Sequence, residues 1–538
     1  HRICNDCMKA CVFQKQQPVN IPHVETSVLT DVLALPWGFE IYGLLSRWNP
    51  LNVHRPHPRP YIGRNVLVVG LGPAGYTLAH HLCLEGFAVA AIDGLKIEPL
   101  PVELTGTYDS PPRPVRNFEK LYTELDERIL LGFGGVSEYG ITVRWDKNFL
   151  TALYITLARH RHFRAFGGIR FGGTIDLQDA FKLGFDHVAI AAGAGRPTLI
   201  PLKNNVARGI RKASDFLMGL QLTGAYKHSS LANLQVRLPA IVIGGGLTAI
   251  DTATELIAYY IVQVEKTEQR LSTLIAERGE AAVMAMFDEE EREFIVEQLT
   301  HAAAVKAERE AAAREGRTPN LQKLIDAWGG VSIAYRKRVL DSPAYRLNHE
   351  EVEKSLEEGV RYIENMAPVE AVLDARGHVR GMIFERQRVD EKGAWSATGE
   401  MVELPARAVC VAAGTSPNVM YERENPGVFQ YDKRRQYFQP HRATVDTEGK
   451  LVVEPVANAA EGFFTSFNDG EHAVSFYGDN HPHYAGSVVK AMASAKDGYP
   501  YIVELFKDHI AALKADDQPL REVDLHRFIA RLDESFLA

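Results

Sequence analysis

Continuous apolar runs, each closed by glycine or acid, recur along this chain and alternate with amphipathic stretches. Val66 to Val69 leads into Gly70-Leu71-Gly72-Pro73-Ala74-Gly75, and after a helix-like stretch a second apolar run ends on Asp93. Ala240 to Ile243 leads in the same way into Gly244-Gly245-Gly246-Leu247-Thr248-Ala249. Two more runs, Val188 to Ala191 and Val409 to Ala412, close on Ala192-Gly193 and Ala413-Gly414. Runs that stay apolar predict parallel strands covered on both faces, and a glycine turn followed by helical periodicity predicts a βα junction. Ser475 to Asp479 predicts a further strand end, with a helix from Tyr484 to Ala495. Near the start, Val28 to Leu35 and Phe39 to Trp48 have helical spacing, and the Pro- and Arg-rich stretch from His54 to Pro60 predicts an extended connector.

The second glycine turn is followed by its predicted second strand, Val331 to Ala334, only after roughly eighty residues, where such a unit needs a few tens. The excess, about 260–328, is rich in Ala, Glu, Gln, Lys and Arg and is punctuated at Gly279 and at Gly316 to Pro319. Good helix formers between breakers predict an inserted helical hairpin. Its acidic run, Asp288 to Glu291, reads as a solvated face, with a partner surface as the second reading.

Both glycine turns fit dinucleotide binding. The first two glycines let the turn tighten and the backbone approach a pyrophosphate, the third allows close helix–strand packing, and the helix N-terminus favours the phosphates. Asp93 stands 93 − 75 = 18 residues past Gly75, near the spacing of a carboxylate on an adenosine ribose. In the second unit Ala249 takes the close-packing position, and the strand runs out into Tyr335-Arg336-Lys337-Arg338. Basic residues there suit the 2′-phosphate of NADP, whereas NAD calls for an acid. A solvated basic turn is the other reading.

With 538 residues the chain holds two or three domains. A net charge of −8 argues against a general nucleic-acid binder. No apolar run reaches membrane-spanning length, and no signal-peptide pattern opens the chain. Of five cysteines, Cys83 and Cys410 sit singly in a predicted helix and strand and read as small buried residues. Cys4, Cys7 and Cys11 form C-x2-C-x3-C, which suits a reducing, cytoplasmic setting and a metal site. Thiolates favour iron in iron–sulfur clusters; zinc, with His1 or His23, stays open. The chain opens on His1, so a fragment or processed form is expected.

Two glycine turns, two Ala-Ala-Gly junctions and a late Gly478-Asp479 before a helix together resemble the two-dinucleotide-binding-domain flavoproteins. The match is nearest to the glutamate synthase small subunit and the N-terminal half of dihydropyrimidine dehydrogenase. Gly134-Gly135-Val136-Ser137-Glu138-Tyr139-Gly140-Ile141 resembles that family's flavin-side segment, with Thr142 in place of a proline, and Lys147 resembles the lysine that follows. Glu351 to Gly359 resembles the acidic helix after the NADPH strand. Leu247 stands where the family usually has asparagine. The resemblance implies FAD on Gly70, Gly72, Pro73, Ala74, Gly75, Asp93, Gly135, Tyr139, Gly140, Ile141, Lys147, Ala192, Gly193, Gly478 and Asp479, with Asp479 on the ribityl chain. It implies NADPH on Gly244, Gly245, Gly246, Thr248, Ala249, Arg336, Lys337, Ala413 and Gly414. It also implies a 4Fe-4S cluster on Cys4, Cys7 and Cys11. The family often has a fourth cysteine where Lys15 stands, which leaves a ligand before His1, Gln14 or Gln16 as substitutes, or no cluster.

The expected fold class is α/β, with an NAD(P) domain inserted in an FAD domain, an N-terminal all-α iron–sulfur module and the helical insertion. The expected domains are 1–64 (helical module), 65–238 and 405–505 (FAD domain), 239–404 (NAD(P) domain) and 506–538 (helical tail or linker). The expected function is NADPH oxidation through flavin and iron–sulfur centres to an electron-accepting subunit or fused domain. An FAD-carrying scaffold without turnover and an NADH-preferring, ferredoxin-linked or bifurcating subunit are the alternatives. No Cys-x-x-Cys lies near either glycine turn, so a disulfide-reductase dithiol is not expected there.

Overall fold

The computed structural model describes residues 6–48, 58–107, 109–122, 132–138 and 148–537. The fold is α/β, and the chain divides into two compact units: Pro197–Gly414 forms the body of one, and the flanking segments form the other.

The flanking unit is built on an eight-stranded sheet. Its strand order is 451–455, 441–445, 464–468, 473–476, 187–190, 65–69, 88–93 and 163–167. Strand Asn65–Val69 lies at the heart of a parallel block, paired with Ala88–Asp93 on one side and His187–Ile190 on the other. Val66, Leu67 and Val68 are fully buried, as a strand covered on both faces demands. Helix Pro73–Leu84 begins with proline at its first turn, where the missing N–H costs nothing. It packs against helix Val488–Leu505, and His81 stacks on Tyr499 with centroids 4.6 Å apart. That second helix starts at Val488, capped by Ser487, and not at Tyr484 as the sequence predicts. Residues 482–486 are a turn instead, because Gly486 adopts a left-handed φ of 106° and its N–H is drawn to Asp479.

The same unit carries helices Ile21–Ala34 and Gly38–Trp48, joined to the rest by Phe39 stacked on Phe118 and by Glu40 paired with Arg159. The predicted connector is described only over 58–60. The C-terminal helix Gln518–Phe536 lays Leu525, Phe528 and Leu532 into the sheet's core, at the i, i+3, i+7 spacing of a buried stripe.

The second unit has a five-stranded parallel sheet, ordered 210–212, 408–411, 240–243, 331–334 and 361–363, and a three-stranded antiparallel sheet of Met366–Leu373, Val379–Val389 and Trp395–Pro405. The helix after the glycine turn runs without a break from Leu247 to Arg278, and Glu289–Glu315 returns along it. The insertion is therefore an overlong Rossmann helix and its return partner. One stripe of the long helix, Tyr259, Gln263, Lys266 and Arg270, fastens the main chain of 225–236. Lys266 Nζ donates to the carbonyls of Ala225 (2.7 Å) and Ala232 (3.1 Å), and Gln263 bonds both N–H and C=O of Val236. Burial pulls the Lys266 ammonium down to about 8.

The acidic run is exposed apart from half-buried Glu290, as a solvated face requires, and it also makes contacts within its own unit. Asp288 and Glu291 form a capping box on helix Glu289–Glu315. Glu290 pairs with Arg208 and His378, and Glu289 pairs with Arg376. These acids tie the return helix to its own unit.

Candidate functional site

In the flanking unit, parallel register decides what the first glycine meets. Val69 pairs with Ile190, so Gly70 falls opposite Ala191. Gly70 has a φ of 100°, and a Cβ there would stand 2.4 Å from the Ala191 carbonyl oxygen. Only glycine fits on both counts. A Cβ on Gly75 would stand 1.8 Å from the Gly70 carbonyl oxygen, so helix and strand are in direct backbone contact here. Gly72, by contrast, faces open space, with nothing within 4 Å of its Cβ position. Pro73 opens the helix behind it.

Two remote segments close on this turn. Gly135, at the start of a short 3-10 turn Gly135–Glu138, lies against Gly72, with its Cβ position 2.9 Å from the Gly72 Cα. Gly478, with a φ of 65°, lies against Ala74, 3.0 Å by the same measure. Gly193 accepts the Asn418 N–H at 2.9 Å, and Asn480 donates to the Asn418 carbonyl at 2.8 Å. The chain thus brings Gly70–Gly75, Gly135, Ala192–Gly193 and Gly478–Asp479 around one helix N-terminus.

Both expected carboxylates are half-buried and partly engaged. Asp93 accepts from Leu71 N and Leu95 N, each at 2.9 Å, and burial raises its pKa against the pull of those two bonds. Asp479 accepts from Gly486 N at 2.8 Å, and burial raises it also. A carboxylate offers about four acceptor sites, so each retains capacity for a ligand hydroxyl.

The second unit repeats the arrangement. Val411 pairs with Ile243, and a Cβ on Gly244 would stand 2.4 Å from the Ala412 carbonyl oxygen. Gly246 faces open space, and Ala249 is fully buried. Gly245 is covered by the Tyr335 ring, whose nearest carbon would lie 2.4 Å from a Cβ. The Gly245 carbonyl accepts the Ala344 N–H at 2.9 Å. Gly244, Gly246, Ala249, Tyr335, Ser342 and Tyr362 line a small cleft open to solvent. Thr248 sits in the first helical turn, where its carbonyl accepts from Thr252. Gly414 accepts from Thr198 N, and Ala413 is exposed. Leu247 packs its side chain against the core.

The basic cluster divides three ways. Arg338 donates twice to Asp341, at 2.7 and 3.2 Å, so its charge is committed. Lys337 places its ammonium 5.9 Å from the centre of the Trp395 ring. Arg336 is exposed and takes part in no ion pair among the described residues.

Several expected site residues, namely Cys4, Tyr139, Gly140, Ile141 and Lys147, lie outside the described residues. Cys7 is exposed on the short helix Asp6–Lys9, and Cys11 follows it, its sulfur accepting from Phe13 N at 3.5 Å. No group of three or more His, Cys, Asp or Glu side chains placed to hold a metal occurs among the described residues, which do not include Cys4. Cys83 and Cys410 are buried single thiols, and burial pushes Cys410 up to about 12. Neither is a thiolate at neutral pH.

Sequence reasoning missed Ala191, Ala412, Asn418, Asn480 and Tyr335, which close the cradles, and Trp395, which meets Lys337. The first two were accessible, since each is the first alanine of an Ala-Ala-Gly closing a parallel strand. The others depend on contacts that no local spacing encodes.

The fold and the two cradles define a protein with two dinucleotide-binding folds of Rossmann type. Residues 64–331, just under half of the chain, match the model of the pyridine nucleotide-disulphide oxidoreductase family. An uncharacterized protein of Rickettsia prowazekii (strain Madrid E) is 38% identical over 525 residues, covering 96% of this chain and 64% of that protein. AegA of Escherichia coli (strain K12), an oxidoreductase by name, is 22% identical over 477 residues, covering 84% of this chain and 50% of its own length. The chain thus spans between half and two thirds of these relatives. Among solved structures, FprA, a Mycobacterium tuberculosis oxidoreductase, aligns over 88% of this chain and 90% of its own, with 15% identity and a TM-score of 0.47. No helix among the described residues is long and apolar enough to cross a membrane.

Proposed function

We propose that this protein is an FAD-dependent NAD(P)H oxidoreductase that delivers electrons to a partner subunit or further domain. The observation that carries the reading is the repeated cradle. In each unit the first glycine abuts the carbonyl of a neighbouring parallel strand, and the second leaves open space before a helix N-terminus. That open face is where a pyrophosphate can approach main chain, and the helix end favours its charge.

Bound FAD would supply the redox chemistry, accepting a hydride and releasing its electrons singly. The chain's own residues bind and orient. Gly72 and Gly135 would flank the pyrophosphate of FAD, Asp93 would accept from the adenosine ribose, and Asp479 from the ribityl chain. Gly246 would take the second pyrophosphate, and Arg336 with Lys337 the 2′-phosphate of NADPH. Buried Cys83 and Cys410 are unsuited to thiol relay, so electrons are expected to leave toward another acceptor. The glutamate-synthase-like reading of the N-terminus, with an iron–sulfur centre on Cys4, Cys7 and Cys11, rests on their spacing alone.

Anaerobic titration of the purified holoprotein with NADPH tests the reading. Bleaching of the flavin absorbance, with turnover of ferricyanide, is expected. A tightly bound FAD that never bleaches with NADPH or NADH would refute it in favour of a scaffold. Iron and sulfide analysis of the same sample decides the cluster.

A further inference from the structure

The basic residues after the second unit's Val331–Ala334 strand are not equivalent, and the difference points outward to the antiparallel sheet. Arg338 is neutralised by Asp341. Lys337 is close enough to lower the Asp341 pKa but forms no ion pair among the described residues; its ammonium lies over the indole face of Trp395, at the start of strand Trp395–Pro405. That strand pairs antiparallel with Val379–Val389, and Trp395 lies opposite Val389 at their shared end. Trp395 is half-exposed there, near the turn of the hairpin.

A lysine side chain loses much rotamer freedom when it is fixed on a ligand. A cation held over an indole face has already given up part of that freedom. The contact also leaves the ammonium's N–H groups free, because the ring supplies no hydrogen-bond acceptor that a phosphate would have to displace. A carboxylate partner would do the opposite, as Asp341 does to Arg338. The hairpin thus sets Lys337 in place without spending its charge.

We propose that Trp395 is a positioning residue for 2′-phosphate recognition, acting through Lys337. The inference rests on the proposed function's reading of the Arg336–Lys337 cluster. It deepens that reading by assigning part of the discrimination between phosphorylated and unphosphorylated nucleotides to a side chain on the antiparallel sheet. Trp395 touches no phosphate itself; it raises the share of Lys337 conformers that can.

Calorimetric binding of 2′,5′-ADP and of 5′-ADP to the FAD-loaded protein tests this without any turnover. Trp395→Leu should weaken 2′,5′-ADP roughly two- to fivefold, the size of a partly exposed cation–π contact, and leave 5′-ADP within experimental error. Trp395→Phe should recover part of the loss. In a Lys337→Ala background Trp395→Leu should have no further effect, since the residue it positions is gone. Retained 5′-ADP binding serves as the control for folding. Equal weakening of both ligands, or an undiminished effect of Trp395→Leu in the Lys337→Ala background, overturns the inference. Unchanged 2′,5′-ADP binding by Trp395→Leu, in a wild type that does distinguish the two ligands, overturns it also while sparing the 2′-phosphate reading. A wild type that does not distinguish them overturns the 2′-phosphate reading itself, and the inference with it.

Discussion

Alanine at Gly72 and at Gly75 separates holding the fold from holding the nucleotide. A Cβ at Gly75 would stand 1.8 Å from the Gly70 carbonyl oxygen, and this neighbour is main chain, which cannot swing aside. Helix Pro73–Leu84 would have to lift from strand Asn65–Val69. Alanine's better helix propensity returns about 1 kcal/mol at most, while overpacking a tight contact costs roughly 1–3 kcal/mol. With a clash this deep the cost falls at the upper end, so the net loss is about 1–2 kcal/mol. Gly72 differs in every term. Its φ of −73° is ordinary for alanine, and no heavy atom lies within 4 Å of the Cβ position. Alanine is the poorer N-cap but stiffens the unfolded chain, and these opposed effects are each about 1 kcal/mol or less. The fold should therefore be indifferent to Gly72→Ala. The new methyl, however, occupies the face a pyrophosphate must approach, and FAD affinity should fall at least roughly tenfold, or about 1.4 kcal/mol. Thermal unfolding of FAD-loaded and FAD-stripped protein, with a flavin fluorescence titration, reads both quantities, because a ligand stabilises only the state it binds. Gly75→Ala should lower both Tm values, and Gly72→Ala only that of the loaded protein. Wild-type FAD affinity in Gly72→Ala would refute the cradle assignment. An unchanged stripped Tm in Gly75→Ala would refute the packing argument.

Three further outcomes follow from single side chains. Lys266→Met should cost roughly 2–3 kcal/mol in urea unfolding, because it leaves the buried carbonyls of Ala225 and Ala232 unpaired; a loss under half that would show that water replaces the ammonium. His481 is fully buried, and burial first, then His483, lowers its pKa to about 4, against the Gly462 carbonyl it bonds. The unfolded chain then binds the proton and the folded one does not, so stability should fall as pH drops from about 6.5 toward 4, by on the order of 3 kcal/mol in total. His481→Gln should flatten that limb of the pH–stability curve, and an unaltered slope would assign it to other groups. Arg336→Ala combined with Lys337→Ala should raise KM for NADPH at least roughly tenfold more than KM for NADH, as loss of charge-assisted phosphate bonds requires; equal effects on both would remove the 2′-phosphate assignment.

The legibility of this chain follows the range of the interactions involved. Strands such as Val331–Ala334 and the glycine turns at Gly70 and Gly244 were readable because their causes are local: continuous apolar runs, a required φ, a helix start. The 260–328 insertion was readable as helical from composition, yet its form was not. Nothing local says that Leu247–Arg278 continues unbroken through the expected junction, because only packing against Glu289–Glu315 and the 225–236 chain makes that length stable. The same holds for the acidic run Asp288 to Glu291. Its charges are solvated, but that Arg208, His378 and Arg376 pair with them from elsewhere in the chain was not readable locally.

By itself the amino-acid order determined the α/β class, the succession of βα units and the residues that must be glycine, since steric limits on φ and the two-residue and 3.6-residue periodicities act within a few residues. The folded chain alone decided that Gly135 meets Gly72, that Gly478 meets Ala74, and that Lys337 rests on Trp395. Those meetings join segments tens to hundreds of positions apart, and sheet order and register, which no short window of sequence contains, bring them together.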